Sequence, residues 1–400
     1  MKNKTFPILL VFLCMGFGDA VGPLVGLAKE YFKLSNFMAQ LIPSVGFIMF
    51  GILSVPTGVL QDRTGKKIIL LLGLIIAFAG LVIPIFGLKE EQYLLLLGAI
   101  FLLGAGASIL QVAGNPIMRD VSSPENFSRN LTIGQTVKVI GSMSASLIPF
   151  AAAKWLGMDF RILFPIYSGA MLVTIIFVGL TPIQEHKDPN TKPATLRSCL
   201  ALLGNKYILV MVLGIFIYVG TEVSFSSHIA IYLSGKYGFD LKTWGILGNT
   251  FFFSCLFIGR FLGSVVLNWI SAKNFLILTV LMAIAGLLGL LFIDNLNLAI
   301  VSIMLAGMGC ANVFPLIFSI TVNSMPQRTN EISGLMVTAI VGGAFVPPLV
   351  GLVTDSTMNI WGLSTAAAVT MGFIVPLACT LYLLFVSLIS LKQQTIAYEN

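Results

Sequence analysis

Apolar stretches of roughly 20 residues, the length an α-helix needs to cross a hydrocarbon layer, recur along the whole of this 400-residue chain. Short polar clusters separate them. The pattern predicts twelve membrane-spanning helices, over 6–27, 38–60, 68–86, 93–118, 131–153, 162–180, 208–233, 244–269, 275–293, 298–322, 332–353 and 363–391 (spans one to twelve). Barrel strands would be about half that length and alternate in polarity, and these stretches do neither. The expected fold class is an all-α membrane protein.

The longest polar connection, QEHKDPNTKPATLRSCLALLGNK at 184–206, lies between spans six and seven. It predicts an N-terminal six-helix bundle over 1–183, a linker over 184–206 and a C-terminal six-helix bundle over 207–400. The two halves echo one another. YFKLSNFMAQ…DRTGKK, from Tyr31 to Lys67, matches YGFDLKTWG…WISAK, from Tyr237 to Lys273, at an offset of 206. GAGA at 104–107 matches GMGC at 307–310, and VIGSMSASLIP resembles IVGGAFVPPLV at an offset of 201. Weak repetition at half the chain length is typical of secondary transporters whose substrate site lies between the repeats, near the midplane.

Hydrophobic residues make up 57% of the chain and charged residues 10%, against roughly a quarter charged in soluble proteins. The net charge of +7 sits in short loops, a distribution that favours the lipid bilayer as partner and argues against nucleic acid. Of the 23 Lys and Arg, fourteen lie on the side of the termini, seven on the other side, and Lys138 and Arg260 inside spans. That bias predicts both termini in the cytoplasm of a protein of the inner (plasma) membrane. Lys2 and Lys4 ahead of an apolar run imitate a secretory signal, but eleven spans follow, so the run reads as a retained first helix. Five scattered cysteines and two unclustered histidines, His186 and His228, indicate no disulfide framework, metal site or cofactor site. An enzyme would show a nucleophile–base or metal-ligand constellation, and a sensor a soluble output domain; the sequence displays neither.

Polar groups inside the spans break the pattern. Lys138 lies within the run 131–153, where an unpaired ammonium costs at least about 3 kcal/mol on insertion scales. Gln135, three residues earlier, shares its helical face. Asp19 in span one, Gln111 and Asn115 in span four, Glu222 in span seven, Asn249 in span eight and Asn312 in span ten add further polar groups. Ionisable groups at such depth usually face the bundle interior, pair, and mark a substrate or ion path. Lys138 is therefore expected to pair, with Asp19 the first candidate; the alternative is that it snorkels to the interface. Glu222 has no basic partner in its own helix. Burial of an unpaired carboxylate favours its protonated form and suits proton uptake and release, unless the group faces water near a helix end. His228 reads as an interfacial residue. Gly and Pro cluster in spans four, ten and eleven, as in moving gate helices or in plain close packing.

GVLQDRTGKK (58–67) joins spans two and three. It resembles the G-x-L-x-D-R-x-G-(R/K)-(R/K) signature of the major facilitator superfamily, with Gly58, Leu60, Asp62, Arg63, Gly65, Lys66 and Lys67 in its places. The resemblance implies the major facilitator fold, two pseudo-symmetric six-helix bundles. It also implies a conformational latch at Asp62 and Arg63 that engages a neighbouring helix end in one state and releases it in the other. Within the superfamily, FKLSNFMAQLIPS, LQVAGNP, RNLTIGQT, YVGTEVSFSSH, GRFLGS, NVFPLIFS and SGLMVTAIVGGAFVPPLVGLVTD are similar to the fucose/glucose/galactose symporter family. Its members are mainly monosaccharide importers driven by a cation gradient, usually protons. The family's sugar-binding glutamine of span five falls on Gln135. Fucose-transporting members carry a coupling acid where this chain has Gln111, and a neutral amide where it has Lys138. Their span-one aspartate falls near Gly22, with Asp19 one turn earlier. The fucose coupling scheme therefore does not transfer. Either Asp19 and Glu222 take over proton coupling, or the ion is sodium, or there is none; an intrinsic Lys–Asp pair standing in for a bound cation is a further variant.

The expected function is monosaccharide import by alternating access, carried out by a monomer. Gln111, Asn115, Gln135, Lys138, Asn249 and Asn312 would hydrogen-bond the sugar, Phe314 would pack on its apolar face, and Asp19 or Glu222 would carry the coupling proton. No cofactor beyond the coupling cation is expected. An exporter of drugs or metabolites shares the loop signature, but a polar cavity crossing several helices fits it less well.

Overall fold

The computed structural model describes residues 4–122, 127–183, 185 and 195–398. Among them every regular element is helical. Eleven helices are long and apolar enough to cross a membrane: Asn36–Thr64, Lys66–Phe86, Tyr93–Val121, Ile133–Leu156, Phe160–Leu180, Lys206–Tyr237, Leu241–Gly263, Ala272–Phe292, Leu296–Ser324, Glu331–Asn359 and Thr365–Ser390. The pair Thr5–Asp19 and Val21–Phe32, bent by 41°, makes a twelfth. These are the spans of the hydropathy pattern with their ends moved by a few residues. The expected linker lies partly outside the described residues; its described part includes a short helix, Leu196–Leu202, capped by Thr195.

Polar caps and glycines set the span ends. Ser35 Oγ accepts from the Met38 N–H at 3.2 Å at the start of span two, and Asn205 Oδ1 accepts from the Tyr207 N–H at 2.9 Å at the start of span seven, each satisfying an otherwise orphaned helix donor. Gly238, at φ 72°, ends span seven in a conformation that glycine adopts without steric cost. The bend in span one has a covalent cause. Pro23 has no N–H to offer the Asp19 carbonyl, so the helical ladder is interrupted there.

Spans one and five touch backbone to backbone. A Cβ on Gly16 would collide with the Lys138 carbonyl and come within 2.8 Å of Gly141 Cα and Ser142 N. Gly141 in turn fits against the Leu13 carbonyl. This crossing brings Asp19, one turn past Gly16, alongside Lys138. Gly16→Val is expected to force the helices apart and destabilise the protein by about 3 kcal/mol or more, the upper range for overpacking. A thermal melt in detergent checks this against Gly98→Ala, where the new methyl meets nothing within 4 Å.

The two bundles meet along a seam that is closed at one end. Call the end bearing Thr5 and the Asp62–Lys67 turn the termini end, and the opposite one the far end. Toward the far end, Asp355 of span eleven caps span two: its Oδ1 accepts from the Asn36 N–H at 3.1 Å and from Asn36 Nδ2 at 2.7 Å, and its Oδ2 from the Phe37 N–H at 2.8 Å. Lys242 pairs with Glu30 at 2.8 Å, and Ser146 hydrogen-bonds Thr250 at 2.9 Å. Gly22 and Gly26 of span one lie against Ser226 and Ala230 of span seven. Deeper in, the Gly343 backbone seats the Phe47 ring and Gly51 meets Val341. Toward the termini end, span two and span eleven part. A cleft of about 640 Å³ opens there, lined by Gly51, Val55, Val59, Arg63 and Thr338 among others.

The turn after span two is tied to its own bundle and to Glu185 at the start of the linker. Glu185 accepts from the Lys66 and Lys67 backbone N–H groups at 2.7 and 2.9 Å. Lys66 pairs with Asp120 at 2.6 Å, and Lys67 donates to the carbonyls of Gly179 and Thr181 at 2.9 Å. Asp62 and Arg63 are exposed, and neither joins an ion pair among the described residues.

Candidate functional site

Five of the intramembrane polar groups meet in the N-terminal bundle. Lys138 Nζ lies 3.6 Å from Asp19 Oδ2 and donates to Gln111 Oε1 at 3.4 Å. Ser142, one turn further along span five, donates to Asp19 Oδ2 at 2.9 Å. Gln135 Nε2 donates to Asn115 Oδ1 at 3.3 Å. Spans one, four and five thus present a continuous polar row, with Asn115 and Gln135 nearest the termini end and Asp19 deepest.

Across the seam, Glu222 faces Arg260 of span eight, Oε1 to a guanidinium nitrogen at 3.9 Å. Asp19 and Lys138 also act on Glu222 electrostatically, so the two ion pairs lie near each other across the seam. Asp19 and Glu222 are 203 residues apart, inside the range of repeat offsets, and so occupy equivalent places in the two halves. Their cations do not, since Lys138 comes from span five and Arg260 from span eight. All four side chains keep 20–32% of their surface accessible. Neither pair is therefore fully enclosed, and the attraction within each is partly screened.

The recess beside Asp19, Gln111 and Lys138, walled by Met15, Phe47 and Phe50, holds only about 10 Å³. That is room for a single water. A hexose-sized ligand has to lie outside the recess, between the rows.

The remaining expected site residues lie in the C-terminal bundle. Asn249 is fully buried and its Nδ2 donates to the Ser226 carbonyl at 2.7 Å, joining spans seven and eight. Asn312 Nδ2 donates to the Gly259 carbonyl at 2.7 Å, joining spans eight and ten. Phe314 stacks on Phe318 with centroids 6.1 Å apart. His228 corrects the sequence reading. It is not interfacial but fully buried, its Nε2 2.7 Å from the Val369 carbonyl and its ring edge-on to Phe373. Sequence reasoning missed Arg260 and Ser142. The signal for Arg260 was its standing as one of two basic residues inside a span; Ser142 could have been found one turn after Lys138.

Comparison with known proteins places this geometry. The family model described as Major Facilitator Superfamily matches residues 8–348. The chain is 29% identical to a glucose/galactose transporter of Brucella abortus over 98% of this chain and 95% of that one. It is 24% identical to the L-fucose-proton symporter of Escherichia coli, covering 83% and 82% of the two chains. The crystal structure of the E. coli fucose:proton symporter superposes with a TM-score of 0.67 at 20% identity, over 97% of this chain and 99% of that one. With the loop signature, two equivalent carboxylates and a seam closed at one end, the chain belongs to the Major Facilitator Superfamily.

Proposed function

We propose that this protein imports a neutral monosaccharide by alternating access, driven by a proton gradient. The carrying observation is that the ion pairs Asp19–Lys138 and Glu222–Arg260 face each other from the two bundles, beside the amides Gln111, Asn115 and Gln135 of the N-terminal one; a chamber there, sealed toward the far end, would hold the sugar. The relatives named as glucose/galactose transporter and L-fucose-proton symporter support the substrate class and the ion. The bundles over 1–183 and 207–400 rock about the chamber, joined by the linker 184–206. Lys and Arg placement supports both termini in the cytoplasm of the inner membrane, which makes the present state open inward, with Asp62 and Arg63 disengaged.

Gln111, Asn115 and Gln135 supply paired donors and acceptors that match sugar hydroxyls, and Lys138 fixes Gln111 from behind. Asn249 and Asn312, whose N–H groups bond backbone, act as braces between helices, and Phe314 lies with them on the C-terminal side. Glu222 and Asp19 carry the coupling. The chain works as a monomer, with the proton as its coupling cation. Proteoliposomes test this. Radiolabelled D-glucose or D-galactose should accumulate when the lumen is alkaline, and an imposed sodium gradient alone should give no accumulation. Failure to accumulate any hexose under either gradient sinks the proposal.

A further inference from the structure

Span ten is interrupted at its centre, and the interruption is wired to Glu222. The helix Leu296–Cys310 ends, Asn312 adopts φ −113° and ψ 0°, and a second helix, Val313–Ser324, continues to the termini end. Pro315 stands four residues after Ala311 and has no N–H, so the Ala311 carbonyl loses its helical donor. The Cys310 carbonyl, beside the break, also looks outside its own helix for a partner. Two side chains answer. Arg260 Nε donates to the Ala311 carbonyl at 3.3 Å, and Tyr218 OH donates to the Cys310 carbonyl at 2.8 Å. Both belong to the surroundings of Glu222: Arg260 is its ion-pair partner, and Tyr218 lies one turn before it in span seven. Asn312 adds a third tie, reaching the carbonyl of Gly259 next to Arg260, and Gly263 is shaped to admit the Asn312 side chain.

We propose that Arg260 is a positioning residue that transmits the charge state of Glu222 to the hinge of span ten. This rests on the reading of Glu222 as a coupling carboxylate. While Glu222 is ionised, the guanidinium is anchored at both ends, and the hinge is held. Protonation removes one anchor, and the segment Val313–Ser324 gains freedom to swing at the termini end. Besides Arg260 and Tyr218, the titratable groups facing Glu222 are Asp19 of span one, Lys138 of span five and Cys310 of span ten. Asp19 and Lys138 neutralise each other locally, which leaves Arg260 as the charge whose balance a proton on Glu222 alters.

The test is conformational and needs no sugar. Spin labels on Thr64→Cys and Gln327→Cys, exposed on opposite bundles at the termini end, report the spacing across the cleft in the reconstituted full chain; four native cysteines are buried and Cys379 is half-buried. One linked proton changes the population ratio of the near and far spacings by at most about tenfold per pH unit. The wild type is expected to show such a slope, and Arg260→Met to flatten it to less than about twofold per unit on the same scale. Arg260→Lys, which keeps a charge and a donor, should retain part of it. Pro315→Ala returns an N–H to the Ala311 carbonyl, makes the Arg260 bond redundant, and should flatten the slope without altering any charge. This variant also keeps the proposal testable if Arg260→Met fails to fold. A wild-type slope in Arg260→Met or Pro315→Ala overturns the relay and leaves the transport reading intact. A wild-type slope in Glu222→Gln, or no slope in the wild type, overturns both the coupling role of Glu222 and the relay.

Discussion

Glutamine at position 222 is expected to end concentrative uptake while leaving sugar exchange intact. A pH unit is worth about 1.36 kcal/mol, so a one-proton symporter facing a one-unit gradient accumulates its sugar about tenfold. Glu222→Gln should bring that ratio to about 1, because an amide of the same shape binds no proton, while counterflow of labelled sugar against unlabelled sugar continues at a comparable rate. The choice of Glu222 over Asp19 follows from their partners. Asp19 holds an ammonium at 3.6 Å and a serine hydroxyl at 2.9 Å. Glu222 holds a guanidinium at 3.9 Å, the looser of the two arrangements. Asp19→Asn leaves Lys138 without its counter-charge, so that variant should lose exchange as well as accumulation. Equal loss of both activities in Glu222→Gln would make it a binding or folding residue and remove it from the coupling step.

The spans were legible because a bilayer imposes a length, and each apolar run of the sequence reappears as a helix within a few residues of its expected ends. The convergence of Asp19, Gln111, Gln135 and Lys138 was legible too, since the cost of a charge in hydrocarbon admits few solutions. Depth in a span, however, says nothing about which way a side chain points around the helix. His228 lies near the far end of span seven but on its protein-facing side, between rings, so its expected interfacial place was wrong. Nor does depth say which backbone carbonyls Asn249 and Asn312 reach, those of Ser226 and Gly259. The breaks in spans one and ten had a local signal, Pro23 and Pro315, each four residues past a carbonyl left without a donor. What periodicity alone could not supply was the Glu222–Arg260 pair, joined across two helices with no fixed spacing between them.

A wedge in the far seam provides the largest conformational effect. Gly22 packs so closely on Ser226 that even a methyl group overlaps the serine hydroxyl, and a Cβ on Gly351 would come within 2.7 Å of the Asn36 carbonyl oxygen and Phe37 Cα. Leucine at either place leaves each bundle free to fold, because the clash lies between bundles and not within one. The state with the far seam closed then loses about 3 kcal/mol, roughly 150-fold in population on the scale used for two-state coupling, and the far-open state is left dominant. Transport should fall by about two orders of magnitude, since every cycle must pass through far closure. Sugar should still bind from the far side, which a ligand-dependent rise in melting temperature reports. Asp355→Asn is expected to act in the same direction but less strongly, because Asn36 and Phe37 lose a charged cap and keep an uncharged acceptor. Normal uptake by Gly22→Leu would mean that the closed seam in this structure is not a station of the transport cycle. The chamber would then have to empty by another route than the one assigned to it.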